Sequence, residues 1–498
     1  MVRDRLAKVN MSSSEREPAG LDTLDAPDKA AMTVNEDAAP PSDALEPAPT
    51  DAAETEPSEP ETAEDAEPPT QVLGAGRPET GSAGDAPARP YPAPAETPTQ
   101  VGPRGIRYDF NDGCRVLIPD AEGGKWRVRL RDIDTGNILF ETRLLSGRIN
   151  SSKRYYIACR IEVWLDDELV LEHDYSAKDQ AVIVNFPVGT IGDTLGWFPY
   201  AAKFQRKHGC RLTCAMAERL IPLFQAAYPD IRFQTHEQVD TSEYYATYNM
   251  GLFFTDKDHI RQPCDFRLVG LHRTAAYILG VDPDEEPPSI VLDDDSRPIE
   301  EPYVCIGVQS TTQAKYWNNP AGWREIVKFL KESGYRVICI DQRPVHGHGL
   351  TWNHLPHGCE DETGDRPLQE RARWLRHAEF FIGLSSGLSW LAWAAGCPVV
   401  MISGFTHPTN EFNTKHRVIN YHTCNSCWND PALMFDHKDF LWCPRHAGTP
   451  RQFECTRLIT VDAVKAALRK VPGFGETGGA PSTAPNADAS ARRARPKA

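Results

Sequence analysis

Between residues 303 and 341 the chain passes from an unbroken apolar run to a polar loop, an amphipathic stretch and a second apolar run. Tyr303-Val304-Cys305-Ile306-Gly307-Val308 has no charged position, the pattern of a parallel strand buried on both faces. After the loop from Gln309 to Lys315, Pro320 fits the first turn of a helix, where its missing N–H has no partner to lose. Trp323, Ile326, Val327 and Leu330 then recur at helical spacing. Gly334 closes that helix, and 335–341 reads as a second strand ending at Asp341. This is a βαβ unit, and open α/β sheets bind ligands beyond the C-terminal tips of such strands.

The alternation repeats on both sides. Upstream, 181–186 reads as a strand that runs through a loop into a helix over 197–207. A helix over 215–228, a strand over 231–233, an apolar run over 250–254 and a helix over 273–279 complete a shorter α/β domain. The acidic, proline-rich stretch 282–302 links it to the second. Downstream, the pattern predicts a helix over 368–378, a strand over 380–384, the turn Ser385-Ser386-Gly387-Leu388-Ser389, a helix over 390–395 and a strand over 399–402. The stretch 346–365 reads as a loop. Ahead of both domains, four apolar runs at 126–130, 138–145, 161–165 and 169–173 flank turn sequences and predict two hairpins.

The expected class is α/β, with two Rossmann-like domains over 181–300 and 301–420 behind a small β domain over 105–180. A four-cysteine segment over 421–457 and a helix over 458–473 follow. The stretches 1–104 and 474–498 are expected to be disordered, because Ala, Pro, Glu, Asp and Thr dominate and little apolar surface is available to offset ordering entropy.

Composition narrows the function classes. Much of the net charge of −16 sits in the N-terminal extension, and the folded part shows no basic stripe for nucleic acid. No run approaches the roughly 20 apolar residues of a membrane span, and no export signal opens the chain. The expected location is the cytoplasm. Thirteen cysteines, mostly on apparent strands and helices, suit buried thiols of a reducing compartment.

Three constellations bear on chemistry. Asp193 stands in a glycine-bracketed loop, Gly192-Asp193-Thr194, between a strand and a helix. It is either a carboxylate placed to accept a proton or a helix N-cap. Lys315 follows a run of hydroxyl and amide side chains at a strand tip, either neutralising phosphate charge or simply exposed. Ser385-Ser386-Gly387 either presents N–H groups to an anion at a helix start or forms a plain turn. Cys424, Cys427, Cys443 and Cys455 supply a CxxC knuckle and two further thiolates, enough for a tetrahedral sulfur site for zinc or iron. The other readings are unrelated thiols or a redox pair. His416, His422, His437 and His446 lie close enough in sequence to substitute as ligands.

Two segments carry a family resemblance. QSTTQAKYWNNP, from Gln309, and LSSGLSWLAWAAG, from Leu384, resemble the ADP-heptose:LPS heptosyltransferases, which have the GT-B fold. Ser385 and Trp390 stand where those enzymes usually carry Asp and His. These departures, the four cysteines and the β domain in front are more similar to the bacterial autotransporter heptosyltransferases, over roughly 105–470. That resemblance implies an ADP-glycero-manno-heptose donor, acceptor serines on an autotransporter adhesin passenger, a structural iron ion and a dodecameric ring. By position, Asp193 would deprotonate the acceptor in an inverting displacement and Lys315 would hold the ADP phosphates. Gly192, Thr194, Gln309, Thr311, Thr312 and Asp341 would contribute to the donor site, with Ser386, Gly387 and Leu388 closing over it. Cys424, Cys427, Cys443 and Cys455 match the iron ligands.

Overall fold

A computed structural model describes residues 91–121 and 123–476, all within one compact unit. The acidic extension up to residue 90 and the tail from 477, both expected to be disordered, lie outside the described residues.

Two parallel sheets organise the unit. In the first, the strands Arg232–Gln234, Arg211–Ala215, Ala181–Asn185 and Ala246–Asn249 lie side by side in parallel. From Ala181–Asn185 the chain pairs outward to Arg211–Ala215, then returns on the other side through Ala246–Asn249. A switch point is thereby created at the C-terminal tip of Ala181–Asn185, from which the Asp193 loop departs. The second sheet runs Glu360–Asp361, Arg336–Cys339, Tyr303–Ile306, Phe381–Leu384, Val399–Ile402 and His416–Val418, parallel throughout. Its switch point lies between Tyr303–Ile306 and Phe381–Leu384. The loops carrying Lys315 and Ser386 leave from those two strands.

Part of the β region in front shares a sheet with the first α/β domain. Arg107–Asn111 pairs in parallel with Ala246–Asn249, and Arg115–Ile118 and Gly147–Asn150 extend the same sheet by antiparallel pairing. The two hairpins instead meet as a four-stranded antiparallel sheet, ordered Ile138–Leu144, Trp126–Asp132, Cys159–Leu165, Glu168–Asp174. The joining strands escaped the apolar pattern because Asp109 and Asn111 are buried polar residues. Asp109 is held there by a bidentate pair with Arg115, at 2.7 and 2.6 Å, which satisfies a charge that burial would otherwise penalise. Residues 91–104, expected to belong to the disordered extension, are in place, and Gln100–Val101 pairs with Arg107–Tyr108.

Other differences are local. The helix expected over 215–228 shrinks to a 3₁₀ turn Glu218–Leu220 and a short helix Ile221–Phe224 holding Pro222, with residues 211–215 as a strand instead. Pro320 precedes its helix, Gly322–Glu332, rather than opening it. Part of the expected loop over 346–365 is a hairpin, Val345–His348 with Thr351–His354. No described helix is long and apolar enough to cross a membrane.

Where the two sheets' helices meet, glycine permits the contact. The helices Ile191–His208 and Gly387–Ala394 touch through their N-termini. A Cβ on Gly192 would meet Trp390 Cδ1 at 2.7 Å, and one on Gly387 would meet Ile191 Cβ at 3.2 Å. Trp390 is buried at this seam.

Candidate active site

Asp193 occupies the third position of the helix Ile191–His208, whose N-cap is Thr190. The N-cap reading of Asp193 is therefore excluded. A first-turn carboxylate gains from the helix dipole, yet the group is half-buried and its pKa is raised. Desolvation is the cause; Lys315, a hydrogen bond from Thr190 and His437 pull the other way. Lys315 mirrors it: burial lowers its pKa, while Asp193 and Glu411 favour its charged form. The two sequence-selected charges thus lie close enough to influence each other's ionisation.

The walls around Lys315 come from parts of the chain that the sequence reading left without chemistry. Its Nζ lies 5.5 Å from the ring centroids of both Phe405 and Trp428, within cation–π range. Behind it, Glu411 is buried, accepts from Ser385 Oγ and from Asn410 Nδ2 at 3.0 Å, and pairs with Arg417 at 3.0 Å. Phe405, Glu411, Trp428 and His437 belong to the site only through tertiary contacts, so no local pattern announces them.

The donor-side residues divide into two groups. Ser386 is the N-cap of the helix Gly387–Ala394, its hydroxyl caps no backbone N–H, and its Oγ has no hydrogen-bond partner. With Gly387 and Leu388 it forms a partly positive helix start. Thr311 and Gln309 are at least partly accessible, and Gln309 Nε2 donates to the Arg343 carbonyl at 2.6 Å. Three others are committed to holding loops. Asp341 accepts from the N–H groups of Val308 at 2.7 Å and Gln309 at 3.4 Å, and burial raises its pKa to about 6. Thr312 Oγ1 donates to the Phe440 carbonyl at 2.9 Å, and buried Thr194 donates to the Thr190 carbonyl at 3.1 Å. In the Gln309–Pro320 segment, Asn318 ties Gln313, Tyr316 and Thr456 together.

The cysteine segment is part of the site's frame. Phe440 takes hydrogen bonds from Thr312 Oγ1 and Gln313 N–H, both at 2.9 Å. Trp428 packs edge-on to Phe254 of the first domain, with centroids 5.4 Å apart, as well as facing Lys315. The thiols of Cys424, Cys427, Cys443 and Cys455 lie close enough to influence one another. Burial and neighbouring thiols push Cys427 and Cys455 up to about 12. Among the described residues, one group of three ligand atoms falls mutually within 4.8 Å, contributed by Cys424, His446 and Glu454. Glu454 already serves Arg451 at 2.7 and 2.8 Å and the Cys424 N–H at 3.0 Å.

The N-terminal domain of glycosyltransferase TibC matches residues 102–167, and glycosyltransferase family 9 (heptosyltransferase) matches residues 275–430. The autotransporter heptosyltransferase BAHTCr of Citrobacter rodentium is 56% identical over 383 residues, covering 76% of this chain and 92% of that protein. The chain belongs to the autotransporter heptosyltransferase family. A crystal structure of the family's dodecameric iron-containing TibC, from enterotoxigenic Escherichia coli H10407, in complex with ADP-D-β-D-heptose, superposes with a TM-score of 0.73 at 54% identity, over 76% of this chain and 98% of that one. The family also includes BimC of Burkholderia thailandensis, described as an inactive autotransporter heptosyltransferase, which is 49% identical over 78% of this chain and 90% of its own length.

The opposed shifts of Asp193 and Lys315 set an expectation for pH dependence. With Asp193 in the role of base, which must be ionised, its raised pKa would delay the rise of kcat/KM to a pH above the usual carboxylate range. A lowered Lys315 pKa brings the alkaline fall below the usual lysine range. The bell should narrow from both sides. Lys315→Met removes the cation that eases Asp193 ionisation, so the acid limb of the residual activity should move to higher pH. An acid limb unmoved in Lys315→Met would show that the two charges are not coupled.

Proposed function

We propose that this chain transfers heptose from ADP-heptose to a hydroxyl of an autotransporter passenger, by one inverting displacement with Asp193 as general base. The observation that carries the reading is the half-buried Asp193 on one of two helix N-termini in contact, close enough to Lys315 for each charge to favour the other. The acceptor oxygen attacks the anomeric carbon while Asp193 takes its proton. The bond to the diphosphate breaks, and Lys315 with the N–H groups at Ser386, Gly387 and Leu388 receives the charge that develops on ADP. Glu411 holds Lys315 in its charged form. Gln309 and Thr311 are open to the donor, while Asp341, Thr312 and Thr194 act by fixing the loops.

Supporting this reading, TibC is the family member crystallised with an ADP-heptose. None of the 13 cysteines is in a disulfide, which supports a reducing, cytoplasmic setting. A homo-oligomer like the TibC dodecamer is part of the same reading. So is the division into two nucleotide-fold domains and a four-cysteine finger.

The finger residues fit a metal ion. Burial and the neighbouring thiols raise the pKa of Cys427 and Cys455, an environment in which a bound cation would favour the thiolates, and thiolate donors suit iron or zinc. Cys424, Cys427, Cys443 and Cys455 would hold it. His446 approaches Cys424 as well, but the Glu454 carboxylate is already engaged by Arg451. The ion would supply a structural cross-link, keeping Phe440 on the Thr312 loop and Trp428 on Lys315. Cys427→Ser is therefore expected to lose metal and to raise the donor KM about tenfold. Metal content and donor KM are measured on the same preparation; unchanged donor KM in a metal-free protein would separate finger from site.

Intact-mass analysis of a co-expressed passenger tests the function. Mass steps of one heptose residue are expected with the wild type and not with Asp193→Ala. The inactive relative BimC supports a second reading, a non-catalytic member of the family. Absence of ADP release from ADP-heptose under any acceptor would favour it, and transfer only to a lipid-linked saccharide would replace the protein acceptor.

A further inference from the structure

Just ahead of the residues matched by the family models, the chain from Tyr91 to Pro98 runs as a strap onto the first sheet. With prolines at 92, 94 and 98 it has few N–H donors of its own, and its carbonyls are free to accept. Arginines supply the donors. Arg115 Nη1 reaches the Ala95 carbonyl at 2.8 Å, Arg148 Nη2 the Glu96 carbonyl at 2.7 Å and Arg107 Nε the Pro98 carbonyl at 2.8 Å. Thr99 N–H adds a bond to Asp109 at 3.0 Å.

So anchored, the strap delivers Tyr91 to the tips of the parallel strands. Its hydroxyl donates to the Met250 carbonyl, and its ring meets His236 edge-on with centroids 5.8 Å apart. Met250 N–H in turn donates to the carbonyl of Asn185 at 2.8 Å, the last residue of the strand that leads to Asp193. The Tyr91 hydroxyl is raised in pKa, first by burial, and it feels both Arg261 and the Asp193 carboxylate.

Beside Arg261 opens a cavity of about 500 Å³ lined from the first domain alone, by Leu252, Phe253, Phe254, Ile260 and two arginines among others. The charges in it are spent internally. Arg154 and Arg261 both pair with Asp112, and Asp256 accepts three backbone N–H bonds of its own loop, at 2.8, 2.8 and 3.0 Å. What remains to recognise a ligand is apolar and aromatic apart from Thr255. Lys315 and Ser386, the groups for the diphosphate, come from the other domain.

We propose that Tyr91 and this cavity form the acceptor subsite: the Tyr91 ring shields the base from bulk water, and the cavity takes an uncharged, apolar side chain flanking the target hydroxyl. The inference rests on the transferase reading above. Tyr91 positions the acceptor and excludes water; it exchanges no proton.

The test compares wild type, Tyr91→Phe and Tyr91→Ala, using a passenger acceptor and ADP-heptose, with transfer and donor hydrolysis measured together. Tyr91→Ala should raise the acceptor KM by about fivefold or more, leave the donor KM unchanged, and raise the ratio of hydrolysis to transfer. Tyr91→Phe keeps the ring and should restore most of that ratio. A passenger with its flanking apolar residue changed to aspartate should lose affinity for the wild type. Acceptor KM and hydrolysis ratio within about twofold of wild type in both Tyr91 variants would overturn the inference while the transferase reading stands. No transfer by the wild type to any acceptor would overturn both.

Discussion

Asp193→Asn is expected to lower heptose transfer by about 10³-fold, within the usual contribution of a positioned general base, while ADP binding stays within about twofold. Asparagine keeps the size and the helix position but cannot take a proton. It also removes the negative charge that favours Lys315 in its ammonium form, so the alkaline limb of any residual activity should shift to lower pH. A pure packing defect would not move that limb. A loss of about 10³ corresponds to about 4 kcal/mol of transition-state stabilisation, more than an exposed carboxylate could supply through charge alone. Single-turnover transfer with saturating donor, alongside ADP titration, separates the two effects. Weakened ADP binding with unchanged turnover at saturation would instead place Asp193 in the donor site.

The candidate residues legible in the sequence share one origin. Buried parallel strands are continuous apolar runs, so 181–186, 303–308 and 380–384 stand out, and the polar loops that follow them are where an α/β sheet binds ligands. Asp193, Lys315 and Ser386 were found through the strands, not through their own chemistry. What the sequence hid was either polar or distant. Arg107–Asn111 carries no apolar signature, because its buried Asp109 and Asn111 are satisfied by side chains elsewhere. Glu411 and Trp428 lie roughly a hundred residues beyond Lys315, and nothing in their own neighbourhoods points back to it. Tyr91 sits at the end of a Pro- and Ala-rich stretch whose composition predicts disorder. Three arginines on strands further along the chain hold that strap in place, and composition does not register donors supplied from outside. Asp341 illustrates the converse. Its position at a strand tip selects it as a donor contact, but both its oxygens are used by the loop above it.

Lys315→Met should raise the donor KM and lower kcat by about 10²-fold or more, the loss seen when one electrostatic donor to a developing charge is removed. Methionine retains the length of the apolar stem, so the change removes the ammonium together with its cation–π contacts to Phe405 and Trp428. The charge matters here because the surroundings are partly dry: a cation in reduced dielectric acts on a departing diphosphate far more strongly than one in water. The same dryness means that Lys315 needs an anion behind it when no donor is bound, and Asp193 and Glu411 meet that need. Glu411→Gln should therefore weaken donor binding although the side chain is buried and the helix start at Ser386 is better placed to meet the donor. Ser385 Oγ and Asn410 Nδ2 can still donate to the amide oxygen of glutamine, so that part of the frame is retained, while the charge and the pair with Arg417 are lost. If Glu411→Gln left the donor KM at the wild-type value, Lys315 would be held in its charged form by Asp193 alone. Loss of both kcat and donor affinity in Lys315→Met, with only donor affinity lost in Glu411→Gln, would distinguish the group that meets the departing diphosphate from the one that keeps it charged.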